Sequence, residues 1–184
     1  MFRKTSLKRQ DQQIVKYAML ATRGAELYMR PFLKWAGGKS QLLDAFAGRL
    51  PEPIKISKQI PSYLEPFVGG GAMFFYLKTH YRIDRAFLFD LNPDLIICYK
   101  VLQPNHRELI ALLETLSSEF GQKNKEERKA YYYRIRERFN HHGKATADQV
   151  YNTAWIERAG FVIFLNKTCY NGLFRLNQKG EFNV

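Results

Sequence analysis

Apolar positions in this chain follow two kinds of pattern, and the change falls near residue 103. Before that point short apolar runs are broken by glycine and proline; beyond it apolar residues recur at helical spacing. The pivotal stretch is 63–77, YLEPFVGGGAMFFYL. An apolar-rich run (Tyr63, Leu64, Phe67, Val68) meets three consecutive glycines, and 72–77 continues apolar with no breaker. The pattern predicts a buried strand, a tight turn without side chains and the first turns of a helix. Glycines allow positive φ and close approach of a ligand to the backbone. Helix N–H groups behind such a turn favour a carboxylate or phosphate. On the glycines alone, a ligand site and an ordinary glycine-rich loop stay equally open.

The same reading extends along the chain. Residues 1–29 are basic and polar without a clear period, and Met29 precedes a sharp change of character. This leader reads as an over-extended start, with Met29 as the true one, or as a flexible basic arm. At 32–43, FLKWAGGKSQLL, a Gly-Gly turn opens a helical pattern with Leu42, Leu43, Phe46 and Leu50 on one side. A nucleotide-hydrolysing phosphate loop would need glycine at position 33, which is Leu33. The plain alternative is a turn capped by Ser40 with Trp35 in the core. A proline-bearing linker, 51–61, leads to the glycine stretch. Residues 86–89 predict a second buried strand ending in Asp90, which lies 19 residues after Gly71. That spacing favours a ribose-binding carboxylate of a βαβ unit over a bare turn residue. Asn92 and Pro93 fit a helix N-cap and first helical position, starting a helix to about 102.

Past 103, Leu109, Leu112, Leu113, Leu116 and Phe120 mark one amphipathic helix. A second, 124–140, is dense in Lys and Arg around tyrosines; it can track a phosphate backbone or present a solvated face with its aromatics packed inward. Thr146 and Gln149 read as the capping box of a third helix running toward 165. Residues 172–176 and 181–184 then predict two strands around a turn at 177–180.

Composition sharpens this picture. The 184 residues suit one domain, or one domain with a subdomain, and 46% hydrophobic content is ample for a core. A net charge of +12 suggests a polyanionic partner, nucleic acid first. The excess is spread out: residues 1–30 hold seven Lys/Arg against two Asp/Glu, and the remainder 22 against 15. Two cysteines, Cys98 and Cys169, form neither a disulfide framework nor a metal-type cluster, consistent with a reducing compartment. The apolar runs 17–21 and 159–165 are too short for a secretory leader or a membrane span. A cytoplasmic protein with no membrane partner is the expectation.

Three stretches, in order, resemble the Dam-like N6-adenine DNA methyltransferases: FLKWAGGK at 32–39, YLEPFVGGGA at 63–72 with FDLNPDLI at 89–96, and FLNKTCYNGLFRLNQKGEFNV at 164–184. The resemblance implies an α/β fold, an incomplete Rossmann-like methyltransferase sheet with a mainly helical target-recognition subdomain ending in a β-hairpin. It implies a basic extension (1–29), an S-adenosylmethionine-binding part (30–103) and a DNA target-recognition region (104–184). Trp35 and Lys39 would meet the cofactor, the indole through its π face and the ammonium through the methionine carboxylate. Glu65, Phe67, Gly69 and Gly71 would complete that site, and Asp90 would accept from the ribose hydroxyls. Tyr170, Asn171, Leu173 and Arg175 would insert at or read a GATC-type site in double-stranded DNA. Arg is the side chain that reads guanine O6 and N7 bidentately, and an aromatic beside an amide can hold a duplex open while a base leaves the stack. By residue type alone, an ordinary hairpin with an exposed Arg remains open. A cognate restriction endonuclease is the further partner the resemblance suggests.

The family's catalytic element, an Asp-Pro-Pro-Tyr tetrapeptide, has no counterpart here. The nearest string, Asn92-Pro93-Asp94-Leu95, lacks the second proline and the aromatic. The expectation is an N-terminal part of an adenine methyltransferase with no catalytic residue of its own: either a partial enzyme, active with the remainder supplied, or a fragment binding cofactor and DNA without turnover. A nucleic-acid-binding regulator without cofactor ranks lower, because it leaves Trp35, Lys39 and Asp90 with no shared purpose.

Overall fold

The computed structural model describes residues 29–141 and 151–184. After a 3-10 turn, Lys39–Leu42, come α1 (Leu43–Gly48) and α2 (Glu52–Ser57), then β1 (Gln59–Ile60) and β2 (Tyr63–Glu65). Next are α3 (Ala72–His80), β3 (Arg82–Ile83) and β4 (Ala86–Leu88). Four longer helices follow: α4 (Pro93–Leu102), α5 (His106–Gly121), α6 (Lys125–His141) and α7 (Ala154–Thr168). The fold is a mixed helix–strand architecture with small parallel sheets.

β2 pairs with β4 in parallel, Tyr63 opposite Ala86 and Glu65 opposite Leu88, while β1 pairs with β3 in a second parallel pair. A parallel pair needs a crossover, and α3 supplies it. The strand–turn–helix prediction at 63–77 therefore holds in outline, but the strands are not buried as expected. Leu64 is 63% exposed, Phe67 65%, Phe87 47% and Phe89 52%. Leu64 and Phe87 are register partners and so share a face. No described element covers that face, so the apolar pattern alone could not bury it.

The linker expected at 51–61 is also corrected: it holds α2 and β1. Pro53 sits in the first turn of α2, where a missing N–H costs nothing, and Lys58 ends the helix in the left-handed region. The helical pattern after Gly38 splits into the 3-10 turn and α1, neither of which buries a residue, and Ser40 provides no cap. A small core of Ile60, Leu77 and Ile83 lies between these pieces.

The main core runs across position 103. Leu33 and the Leu95, Ile97, Cys98 and Val101 face of α4 pack with side chains from α5, α6 and α7. The Asn92 cap is as read: its side chain accepts from the N–H groups of Asp94 and Leu95 at 2.9 and 3.4 Å. Asp94, itself buried, takes a 2.6 Å ion pair from Arg158 on α7, joining the two helices. In α6, Tyr131, Ile135 and Phe139 face inward at four-residue spacing, so this basic helix packs its aromatic stripe into the core. Asn124 and Glu127 cap it reciprocally, each side chain accepting from the other's N–H at about 3 Å. The capping box read at Thr146 and Gln149 lies outside the described residues; α7 is described from Ala154. The expected terminal strands reduce to a single antiparallel bridge, Leu176 with Phe182, around a turn in which Asn177 accepts from the N–H groups of Lys179 and Glu181.

Candidate cofactor pocket and DNA-facing turn

The glycine turn is fixed from three sides. Gly69 (φ +51) and Gly71 (φ +80) occupy conformations that side chains disfavour. The Gly69 N–H donates to Asp90 Oδ2 at 2.9 Å, and Tyr99 Oη donates to the Gly69 carbonyl at 3.1 Å. A Cβ at Gly71 would lie 2.5 Å from Tyr99 Oη and 2.8 Å from the Phe75 ring. A Cβ at Gly70 would lie 2.9 Å from the Leu33 carbonyl. Glycine is thus required by both backbone conformation and close packing. Burial, with the nearby Glu65, Cys98 and Asp90, pushes the Tyr99 phenol above the usual tyrosine range and keeps it a donor.

Asp90 stands two residues beyond β4, which ends at Leu88, one residue short of the expected strand. Its second oxygen accepts from the Asn92 N–H at 2.9 Å. The carboxylate therefore pins the glycine turn to the start of the α4 segment. Each oxygen keeps further acceptor capacity.

Between the 31–41 segment and the glycine turn lies a cavity of about 610 Å³, within the range of small-molecule sites. Trp35, Lys39, Phe67, Gly69 and Asp90 line it. Five of the seven residues expected at the cofactor thus meet at one cavity; Glu65 and Gly71 do not line it, Glu65 bonding to the lining Lys39 and Gly71 lying between the lining Gly70 and Ala72. Glu65 is buried at 5% exposure and accepts from Lys39 Nζ at 2.9 Å and Tyr63 Oη at 2.8 Å. Burial, then the Glu65 carboxylate, raises the Tyr63 phenol. Lys39 also donates to the Phe67 carbonyl at 2.5 Å, so two of its three N–H donors are engaged internally. The indole of Trp35 lies where a Gly69 Cβ would come within 3.2 Å of it.

The four residues expected at DNA sit on the segment after α7. Tyr170 (77% exposed), Asn171 and Leu173 project from a 3-10 turn, Tyr170–Gly172, in which Asn171 has φ 54. Arg175 is exposed, and its Nε donates to Asn183 Oδ1 at 3.0 Å across the turn. This leaves its terminal nitrogens for another acceptor.

Three structural residues escaped the sequence reading. Tyr99 carried no signal beyond one aromatic on an apolar helix. Phe174 stacks on Trp35, with centroids 5.4 Å apart at 30°. Asn166, directly after the apolar run of α7, is a buried polar residue whose partners are Lys34, 132 positions away, and Gly172, six positions on; a lone amide at the end of such a run was the only clue.

A profile of the D12 class N6 adenine-specific DNA methyltransferases matches residues 35–184. The chain belongs to this family. Among curated relatives, the type II methyltransferase M.MjaIII of Methanocaldococcus jannaschii is 47% identical over 156 residues, covering 85% of this chain and 51% of the relative. The DNA adenine methylase of Serratia marcescens is 37% identical over 156 residues, covering 84% of this chain and 48% of that protein. The DNA N-6-adenine-methyltransferase of Escherichia phage P1 is 38% identical over 157 residues, covering 85% of this chain and 17% of that protein. The chain spans about half the length of the first two. The matched region contains Trp35, Lys39, Phe67, Gly69 and Asp90 of the cavity wall and the Tyr170–Arg175 segment. Among the described residues no helix is long and apolar enough to cross a membrane.

Proposed function

We propose that the chain is the cofactor- and target-binding part of a site-specific DNA adenine-N6 methyltransferase using S-adenosylmethionine and acting on a short GATC-like duplex site. One observation carries this reading: Trp35, Lys39, Phe67, Gly69 and Asp90, separated by up to 55 residues in sequence, line one cavity. The wall chemistry fits the cofactor. Trp35 and Phe67 offer apolar and π surface, Lys39 keeps one N–H for a carboxylate, and Asp90 offers acceptors for hydroxyls. Bound there, S-adenosylmethionine supplies an electrophilic methyl group. Residues 30–103 form the cofactor part, belonging to a Rossmann-like sheet of which β2 and β4 are members. Residues 104–184 form the target-recognition region. Tyr170, Asn171, Leu173 and Arg175 meet duplex DNA, with Arg175 reading a guanine edge. The setting is cytoplasmic, and a restriction endonuclease of the same specificity is the expected partner.

Because no Asp-Pro-Pro-Tyr sequence is present among the 184 residues, this chain alone binds without turning over. The test is calorimetry with S-adenosylmethionine. Asp90→Ala should weaken binding ~10–100-fold, the worth of hydrogen bonds to a charged group. Equal affinities for wild type and variant would remove Asp90 from the site. At the DNA, Arg175→Ala should cost about 1–3 kcal/mol of discrimination at one base pair. An unchanged preference across a set of variant duplexes would exclude Arg175 as a base reader.

A further inference from the structure

Asn166 is 1% exposed, yet its amide makes three hydrogen bonds that join two functional segments. Its Oδ1 accepts from the Lys34 N–H at 2.9 Å, and its Nδ2 donates to the Lys34 carbonyl at 2.8 Å and to the Gly172 carbonyl at 2.9 Å. Lys34 immediately precedes Trp35 on the wall of the cavity. Gly172 closes the turn that carries Tyr170 and Asn171. The two segments also touch directly: a Cβ on Gly172, whose φ is +68, would lie 2.8 Å from Lys34 Cδ. One residue past Lys34 and two past Gly172, Trp35 stacks on Phe174. A buried amide with its oxygen and both N–H groups satisfied allows little independent movement, because any shift strands a polar group away from water.

We propose that Asn166 is a positioning residue that couples the cofactor cavity to the DNA-facing turn, so that filling one favours filling the other. The inference rests on the preceding reading of these two places as S-adenosylmethionine and DNA sites. A ligand that fixes the Trp35 wall restrains Lys34, and through Asn166 restrains Gly172 and the turn. The ordering cost of the second ligand is then partly met by the first, which produces positive coupling without a large rearrangement. Linkage requires the effect to be reciprocal.

The experiment measures S-adenosylmethionine affinity calorimetrically with and without a saturating GATC-containing duplex, and duplex affinity with and without the cofactor. Wild type should show each ligand tightening the other by the same factor, ~5-fold or more. Asn166→Ala should keep each separate affinity within ~3-fold while the coupling falls below ~2-fold, a separation that general loss of structure would not produce. Phe174→Leu, which keeps apolar bulk but removes the stack, should reduce the coupling by at least half; it decides the matter if circular dichroism shows Asn166→Ala to be unfolded. Full coupling in the folded variants overturns the proposal. So does a wild-type chain that binds both ligands independently, while leaving the reading of the two sites intact. Failure to bind either ligand overturns that reading, and the coupling falls with it.

Discussion

The β2/β4 pair and α7 show opposite fates for apolar sequence. Of the six residues in the two strands only Glu65 is buried, whereas α7 buries ten of its fifteen. Both stretches are rich in large apolar side chains. The difference lies in their neighbours. α7 is packed by α4, α5 and α6, so nearly every direction around it meets another apolar surface. The strands meet each other at their edges, but their Leu64–Phe87 face meets no described element. Hydrophobicity thus states a requirement for a partner; it does not say whether the partner is within reach.

Leu165, fully buried, should be the costlier position to empty: Leu165→Ala is expected to lose about 2–5 kcal/mol of unfolding free energy. Denaturant titration showing a loss below ~1 kcal/mol would mean that the core around α7 is far looser than its packing indicates. Gly71→Ala comes next, at about 1–2 kcal/mol from the left-handed backbone alone, with the approach of Tyr99 and Phe75 added. A neutral result there would show that the turn relaxes and is not held by its neighbours. The smallest effect is expected at Leu64: Leu64→Gln should stay within ~0.5 kcal/mol by the same titration, since its side chain is already in water. A loss approaching that of Leu165 would break the contrast, by showing the strand face to be covered in solution.

The cavity shows the same division on a finer scale. The glycine turn, the 19-residue spacing to Asp90 and the Asn92-Pro93 helix start were legible because each depends on local backbone chemistry: positive φ, a strand end, an N-cap. The meeting of Lys39 with Glu65 was not legible, although both had been assigned to the site. The resemblance makes each a cofactor residue and says nothing of a contact between them; the structure pairs them at 2.9 Å. Tyr99, Phe174 and Asn166 were invisible for a related reason. Each acts through a contact 30 or more positions away or 139 residues apart in the Trp35–Phe174 stack, and no periodicity within one element reports such a pairing.

By itself, the amino-acid order determined where helices start, where glycine is obligatory and which family the motifs resemble. These follow from short-range sterics and hydrogen bonding, which act within a few residues. Tertiary structure alone decided which apolar faces are covered, which charged groups neutralise one another, and that one buried amide on α7 holds the cavity wall and the Tyr170–Gly172 turn together. Those outcomes depend on which surfaces the chain can bring into contact, and that is a property of the packed whole.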